Sequence, residues 1–123
     1  MATTELFRHS KPVIAVCSDG TSVFCVGGEN RNRIYAYTIA GGAIVEKHRF
    51  HSEIVALCTD ATYLYIALVG GRIIKWTIAD AGATRSELVR FHGNIRSICQ
   101  TTVGQNVVLY VGLDNGKLFS QTV

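Results

Sequence analysis

One block of sequence occurs three times at a constant spacing, and this repeat constrains the fold more than any other feature. Residues 13–19 read VIAVCSD, and residues 54–60, which lie 41 positions later, read IVALCTD. A looser third copy, IRSICQT, occupies residues 95–101 after another 41 positions. A period of this length is typical of proteins built from stacked supersecondary units, each of which buries its apolar surface against its neighbours.

A second block divides each repeat further. The sequence RIYAYTI at 33–39 returns as RIIKWTI at 72–78 and, more loosely, as KLFSQTV at 117–123. The spacing between these copies is not constant, so the differences in length fall between the two blocks, where surface loops absorb insertions. The sequence therefore predicts a single segment over residues 1–123, with repeats of about 1–40, 41–80 and 81–123.

The local pattern within a repeat is that of β-strands. In the first repeat, residues 13–17, 22–27 and 33–39 are short, rich in Val, Ile, Tyr, Phe and Thr, and separated by glycine-containing turns. Residues 43–50 and 84–91 lie between repeats and are predicted to be fourth strands. No stretch has the apolar spacing of an amphipathic helix. We therefore expect an all-β chain with four antiparallel strands in each repeat.

Composition supports a folded chain and excludes several classes of protein. Only 17% of the residues are charged and 48% are hydrophobic, whereas an average soluble domain is about 25% charged. The longest apolar run, residues 63–69, is far too short for a membrane span. The net charge is +3 with no Lys- or Arg-rich run, so neither a nucleic-acid nor a membrane partner is indicated. Four cysteines without an export signal favour free thiols and a cytoplasmic or nuclear location.

These repeats resemble WD repeats, which form the blades of β-propellers. His51 and His92 precede their strands as the histidine of that family does, Lys75-Trp76-Thr77 falls where Trp-Asp is expected, and residues 113–118 resemble the Asp-containing turn. The resemblance implies four-stranded blades and a scaffold for protein interactions. The motif is degenerate, because Thr38, Thr77 and Thr122 replace the aspartate in the three repeats.

Three blades are too few to close a ring, because propellers have about 4–8 blades. The first residues, Thr4–His9, correspond to an outer strand that precedes the first repeat, whereas the last repeat ends on its third strand. We therefore expect a half-propeller that closes to a six-bladed ring as a homodimer, in which each chain completes the last blade of the other. The residues predicted to make this strand exchange are Thr4, Glu5, Leu6, Phe7 and Arg8. The alternative is that the chain is the N-terminal part of a larger WD-repeat protein.

The candidate chemical groups are predicted to be structural. Cys17, Cys58 and Cys99 are in register, but they lack the close spacing of a metal site, so core positions are expected for them and for Cys25. Trp76 is expected in the core and His48 on a solvated outer strand. Two recurring sets, Glu5, Glu46 and Glu87 with Arg8, Arg49 and Arg90, are also expected on outer strands, where residues three apart face opposite sides and need not pair.

No catalytic, cofactor-binding or metal-binding group is predicted from the sequence, and the protein is not expected to be an enzyme. The best candidate for an interaction loop is Glu29, Asn30, Arg31, Asn32 and Arg33, since exposed arginines contact carboxylates and phosphates. The favoured hypothesis is a non-catalytic protein-interaction scaffold with protein partners. The alternative from another class is a carbohydrate-binding propeller.

Overall fold

The protein is an incomplete β-propeller of three antiparallel sheets, seen in a computed structural model that describes residues 2–123. The first two sheets have four strands and the third has three, and each sheet follows the chain order. The strands are β1 (Val16–Ser18), β2 (Ser22–Gly27), β3 (Arg33–Thr38), β4 (Ile44–Arg49), β5 (Ile54–Thr59), β6 (Tyr63–Leu68), β7 (Arg72–Thr77), β8 (Arg85–Arg90), β9 (Ile95–Val103), β10 (Asn106–Leu113) and β11 (Leu118–Thr122). No helix that could span a membrane occurs in this region.

These sheets confirm the predicted all-β class, and we call them blades 1, 2 and 3. Blade 3 differs from the expected four-stranded unit because β11 is its last strand and no fourth strand pairs with it. Thr4–His9 form no strand pairing within this chain. The order of strands therefore leaves β11 with one free edge.

Aspartate side chains form the turn between the first two strands of blades 1 and 2. The amide N–H groups of Thr21 and Ser22 donate to Asp19 Oδ1 over 2.9 and 2.8 Å. Asp60 accepts two equivalent bonds at the same point of blade 2. In blade 3 the equivalent residue is Thr101, and there the hairpin extends to Gly104 before it turns. Asp19 and Asp60 therefore fix short turns, and the replacement of the aspartate by Thr101 explains why β9 and β10 are longer.

The core lies between the blades, in two apolar clusters that use opposite faces of blade 2. Blade 1 contributes Phe24, Val26 and Ile34 to the first cluster, where they meet residues of blade 2 that include Ile66 and Trp76. The second cluster joins the other face of blade 2 to blade 3, and its buried members are Ala56, Cys58, Tyr65, Ala67, Ile73, Ile95, Leu109, Val111 and Leu113. Each blade is thus a sheet whose two faces alternate along the strands and pack on different neighbours.

A β-bulge corrects the prediction for the Glu and Arg sets. The register between β3 and β4 shifts between Ile34 and Tyr35, so that Lys47 has no partner and Glu46 and Arg49 come to the same face. Arg49 consequently lies 3.4 Å from Glu46. The same shift between β7 and β8 brings Arg90 to 3.2 Å from Glu87. The expectation that residues three apart face opposite sides fails because it assumes a regular strand.

Two neighbouring glycines show how closely the turn between β6 and β7 packs against the connection that follows β8. Gly70 and Gly71 both have positive φ, of 94° and 90°. A Cβ at Gly70 would meet open space, whereas one at Gly71 would overlap the backbone carbonyls of Phe91 and Gly93. We predict that Gly71→Ala lowers the free energy of unfolding by about 3 kcal/mol, while the control Gly70→Ala costs about 1 kcal/mol for its backbone conformation alone. Urea denaturation measures both, and equal losses would contradict the close contact.

Candidate interaction surfaces

We call the face of each blade that packs on the following blade its leading face. The leading faces of blades 1 and 2 are buried in this way, whereas that of blade 3 is free. Cys99, Tyr110 and Leu118 occupy here the positions of Cys58, Tyr65 and Ile73 in blade 2. Those three residues of blade 2 are buried against blade 3, whereas Tyr110 is 39% and Leu118 is 74% exposed. The leading face of blade 3 is therefore an apolar packing surface without a neighbour in the described chain.

We call the opposite side of each blade, which packs on the preceding blade, its trailing face. The trailing face of blade 1 is a second incomplete interface. Its residues Val16, Val23, Tyr35 and Tyr37 correspond to Leu57, Leu64, Ile74 and Trp76, which are buried in blade 2 against blade 1. Val16 is 62% exposed, and the other three are half-buried.

Two aromatic side chains of the N-terminal segment cover part of the trailing face. The Phe7 ring lies 5.9 Å from the Tyr37 ring, and the His9 ring lies 4.6 Å from the Tyr35 ring. His9 also contacts Cys25 and approaches Gly27. Residues predicted for strand exchange thus lie on the end of the molecule where a preceding blade would stand.

Three of the four cysteines are buried or half-buried, and Cys99 is exposed. Burial raises the pKa of both the Cys17 and the Cys58 thiols to about 12, and burial also raises the pKa of Cys25. These three fit the predicted core positions, since Cys25 and Cys58 are buried and Cys17 packs against the first cluster. The prediction for Cys99 is wrong for the single chain, because its side chain is exposed on the leading face.

His48 was expected to be solvated, but it is half-buried against the next blade. Its ring lies 4.5 Å from the Phe50 ring and 6.2 Å from the Trp76 ring. Burial, together with the nearby Arg85 guanidinium, lowers the His48 pKa. Trp76 itself is buried, as predicted, but its indole N–H has no hydrogen-bond partner among the described residues. The burial of His48 was not predicted, because the bulge that turns its side chain inward has no clear signal in the sequence.

The predicted interaction loop, Glu29–Arg33, is hydrogen-bonded to the connection between blades 1 and 2. The Asn32 side-chain amide donates to the Phe50 carbonyl oxygen over 2.7 Å, and the Phe50 and Ile54 amides donate to the carbonyls of Asn32 and Arg31. Arg31 has a positive φ of 54°, a conformation that ordinary residues adopt at some cost. The loop is therefore held in one shape with its arginine side chain exposed.

An open groove of about 350 Å³ lies between this loop and the blade connection. The loop contributes Glu29, Asn30, Arg31 and Asn32, and the other wall is formed by His51, Ser52 and Glu53. The second wall was not predicted, because only the inter-blade contact brings it close to the loop. His92 is exposed like His51, and neither makes a side-chain hydrogen bond within the described chain. Among residues 2–123, no group of His, Cys, Asp or Glu is arranged to hold a metal ion.

The comparisons with known proteins support the fold. None of the protein-family models matches the sequence, and no curated protein is significantly similar to it. The computationally designed Ika4 protein has a TM-score of 0.63 at 14% identity, over 100% of this chain and 99% of that one. The Cps50 (Swd1) β-propeller domain of Myceliophteria thermophila has a TM-score of 0.68 at 14% identity, over 95% of this chain and 39% of that one.

A chain of the mitotic checkpoint complex is also similar, with a TM-score of 0.67 at 12% identity over 86% of this chain and 32% of that one. The present chain thus spans well under half of the length of these last two proteins. The structural neighbours include β-propeller domains of the WD40 type. These similarities show the propeller fold.

The environment of His48 predicts a pH dependence of stability. Its pKa is lowered in the folded state, so the unfolded chain binds more protons below the ordinary histidine pKa of about 6.5. We therefore expect the free energy of unfolding to fall as the pH drops from 7 to 5, and His48→Phe to reduce that slope. Urea denaturation across this range measures it, with His51→Phe as the control, since His51 is exposed. An identical slope in the wild type and His48→Phe would contradict the prediction.

Proposed function

We propose that this protein is a non-catalytic protein-interaction scaffold whose propeller is completed by a second copy of the same chain. One observation supports this proposal above the others: the positions that bury blade 2 against blade 3 recur on the leading face of blade 3, where they are exposed. Apolar patches of this kind mark interaction surfaces on soluble proteins. The occupant that fits a leading face is another blade.

The two ends of the chain are complementary by their position in the repeat. Inside the chain, each leading face packs on the trailing face of the next blade, as blade 1 does on blade 2. The free leading face of blade 3 therefore matches the free trailing face of blade 1. These faces belong to opposite ends of one chain, and a two-fold pair of chains brings each leading face onto a trailing face of the partner. The product is a ring of six blades with two identical seams.

The scaffold role follows from the loops that such a ring presents. The loop Glu29–Arg33 is held in a fixed shape by its bonds to the blade connection, and its exposed Asn30 and Arg31 offer hydrogen-bond donors to a protein partner. Preorganised loops lose little conformational entropy on binding. A similar structure was solved as part of the mitotic checkpoint complex, which is in keeping with a role in protein assembly. The free thiols are in keeping with an intracellular location.

The first test is the molar mass of the purified chain, measured by light scattering at micromolar concentration. We expect twice the mass of one chain, and we expect Leu118→Arg to give single chains, because the seam would have to bury an unpaired charge. The control is Val69→Arg, at an exposed apolar residue of the middle blade, which should leave the dimer intact. A stable, folded wild-type monomer would refute closure by a second copy and favour completion by another polypeptide.

Cys99 provides a second, independent measure of closure. It is exposed on the leading face of the single chain, so it should react with iodoacetamide in dilute solution and become protected as the concentration rises and dimers form. Cys58 is the internal control, because it is buried inside the chain and its pKa is raised to about 12. Mass spectrometry reports both sites. A constant rate at Cys99 over a range in which the molar mass doubles would place the interface elsewhere.

A further inference from the structure

We propose that residues 4–8 of each chain form the missing outer strand of blade 3 in the second copy, paired with the free edge of β11. This inference rests on the ring closure proposed above and adds to it the element that forms each seam. It is based on the packing of the N-terminal segment, on a repeated ion pair and on the register of the outer strands.

The N-terminal segment lies on blade 1 in the way that the outer strand of blade 1 lies on blade 2. Phe7 is the equivalent of His48, which lies 41 residues later, and Tyr37 is the equivalent of Trp76, which lies 39 residues later. The two ring separations are 5.9 and 6.2 Å. Phe7 thus has the position of an outer-strand residue facing the following blade, although no sheet precedes it among the described residues.

The next aromatic residue repeats the same geometry. Phe7 and His9 meet edge to face at 4.9 Å, and their equivalents His48 and Phe50 do so at 4.5 Å. His9 lies 4.6 Å from Tyr35, and in blade 3 the equivalent pair Phe91 and Phe119 is separated by 5.2 Å. Residues 7–9 are therefore already placed as the end of an outer strand and its link to the next blade.

An ion pair indicates that this segment has the side-chain arrangement of the bulged outer strands. Arg8 lies 2.7 Å from Glu5, and this pair is equivalent to the Glu46–Arg49 and Glu87–Arg90 pairs that the bulge creates. Surface pairs of this kind contribute little energy. Their recurrence nevertheless indicates that Glu5 and Arg8 lie on the same side of the segment, as their equivalents do in the bulged outer strands.

In blades 1 and 2, a basic residue of the third strand lies close to the glutamate of the outer strand. Arg33 Nε lies 3.7 Å from Glu46, and Arg72 Nε lies 2.7 Å from Glu87. Lys117 holds the equivalent position just before β11, and within the described chain it has no carboxylate partner. Glu5 of a second copy would supply the missing carboxylate.

The register follows from the two complete blades. Arg33 pairs with Arg49 and Tyr35 with Glu46, and the same pattern holds between β7 and β8. Transferred by the repeat, it pairs Lys117 with Arg8, Leu118 with Phe7, Phe119 with Glu5 and Ser120 with Thr4, and it leaves Leu6 as the bulged residue. Phe7 then covers the exposed Leu118, and the free backbone groups of β11 receive partners.

Disulfide trapping tests this register directly. Two variants in a Cys99→Ser background, Thr4→Cys and Ser120→Cys, are mixed and oxidised, so that a heterodimeric disulfide can form only between chains. Directly opposed strand residues have Cβ atoms close enough for a disulfide. We expect a covalent dimer in high yield from this pair, and at least tenfold less from Thr3→Cys with Ser120→Cys, because Thr3 would face the other side of the strand.

A charge exchange provides a second measurement that does not depend on cysteine chemistry. Glu5→Lys alone and Lys117→Glu alone should each weaken the dimer about tenfold over its two seams, and the double variant should recover most of the affinity. Wild-type dimers without register-specific disulfides or charge recovery would overturn the strand exchange and leave closure by the end faces intact. A monomeric wild type would overturn both.

Discussion

The structure depends on the packing of one blade face against the next. Blade 2 is apolar on both sides, and each side is covered by a neighbouring blade, so the two clusters lie between sheets and not within them. Trp76 illustrates this dependence. It is among the largest fully buried side chains, and it makes no hydrogen bond through its indole N–H, so its contribution is apolar packing alone.

The sequence repeat and the folded blade do not cover the same four strands, because they are offset by one strand along the chain. A sheet contains four consecutive strands, but the side chains of each outer strand pack forward onto the following blade, as His48 does on Trp76. Phe7 and His9 likewise pack against blade 1, although residues 4–9 pair with none of its strands. Within the described residues, blade 3 has three strands.

The period made the blades predictable from sequence, because equal spacing places equivalent residues in equivalent environments. The same reasoning failed at Cys99, because no blade packs on its face of blade 3 among the described residues. It also failed at His48 and at the Glu46–Arg49 pair, since one unpaired residue in a β-bulge changes the face of every residue beyond it. The groove wall at His51–Glu53 could not be predicted either, because it depends on a contact between loops distant in sequence.

The apolar burial of this chain is concentrated between its blades, and the faces at its two ends are only partly covered. Stability then comes mainly from the faces between blades, and an arc of three blades has two such interfaces where a closed ring of six has six. In the proposed ring, closing both seams would add as many inter-blade interfaces as one chain contains by itself. A short, weakly charged chain of this kind would bury by such assembly apolar surface that it cannot bury alone.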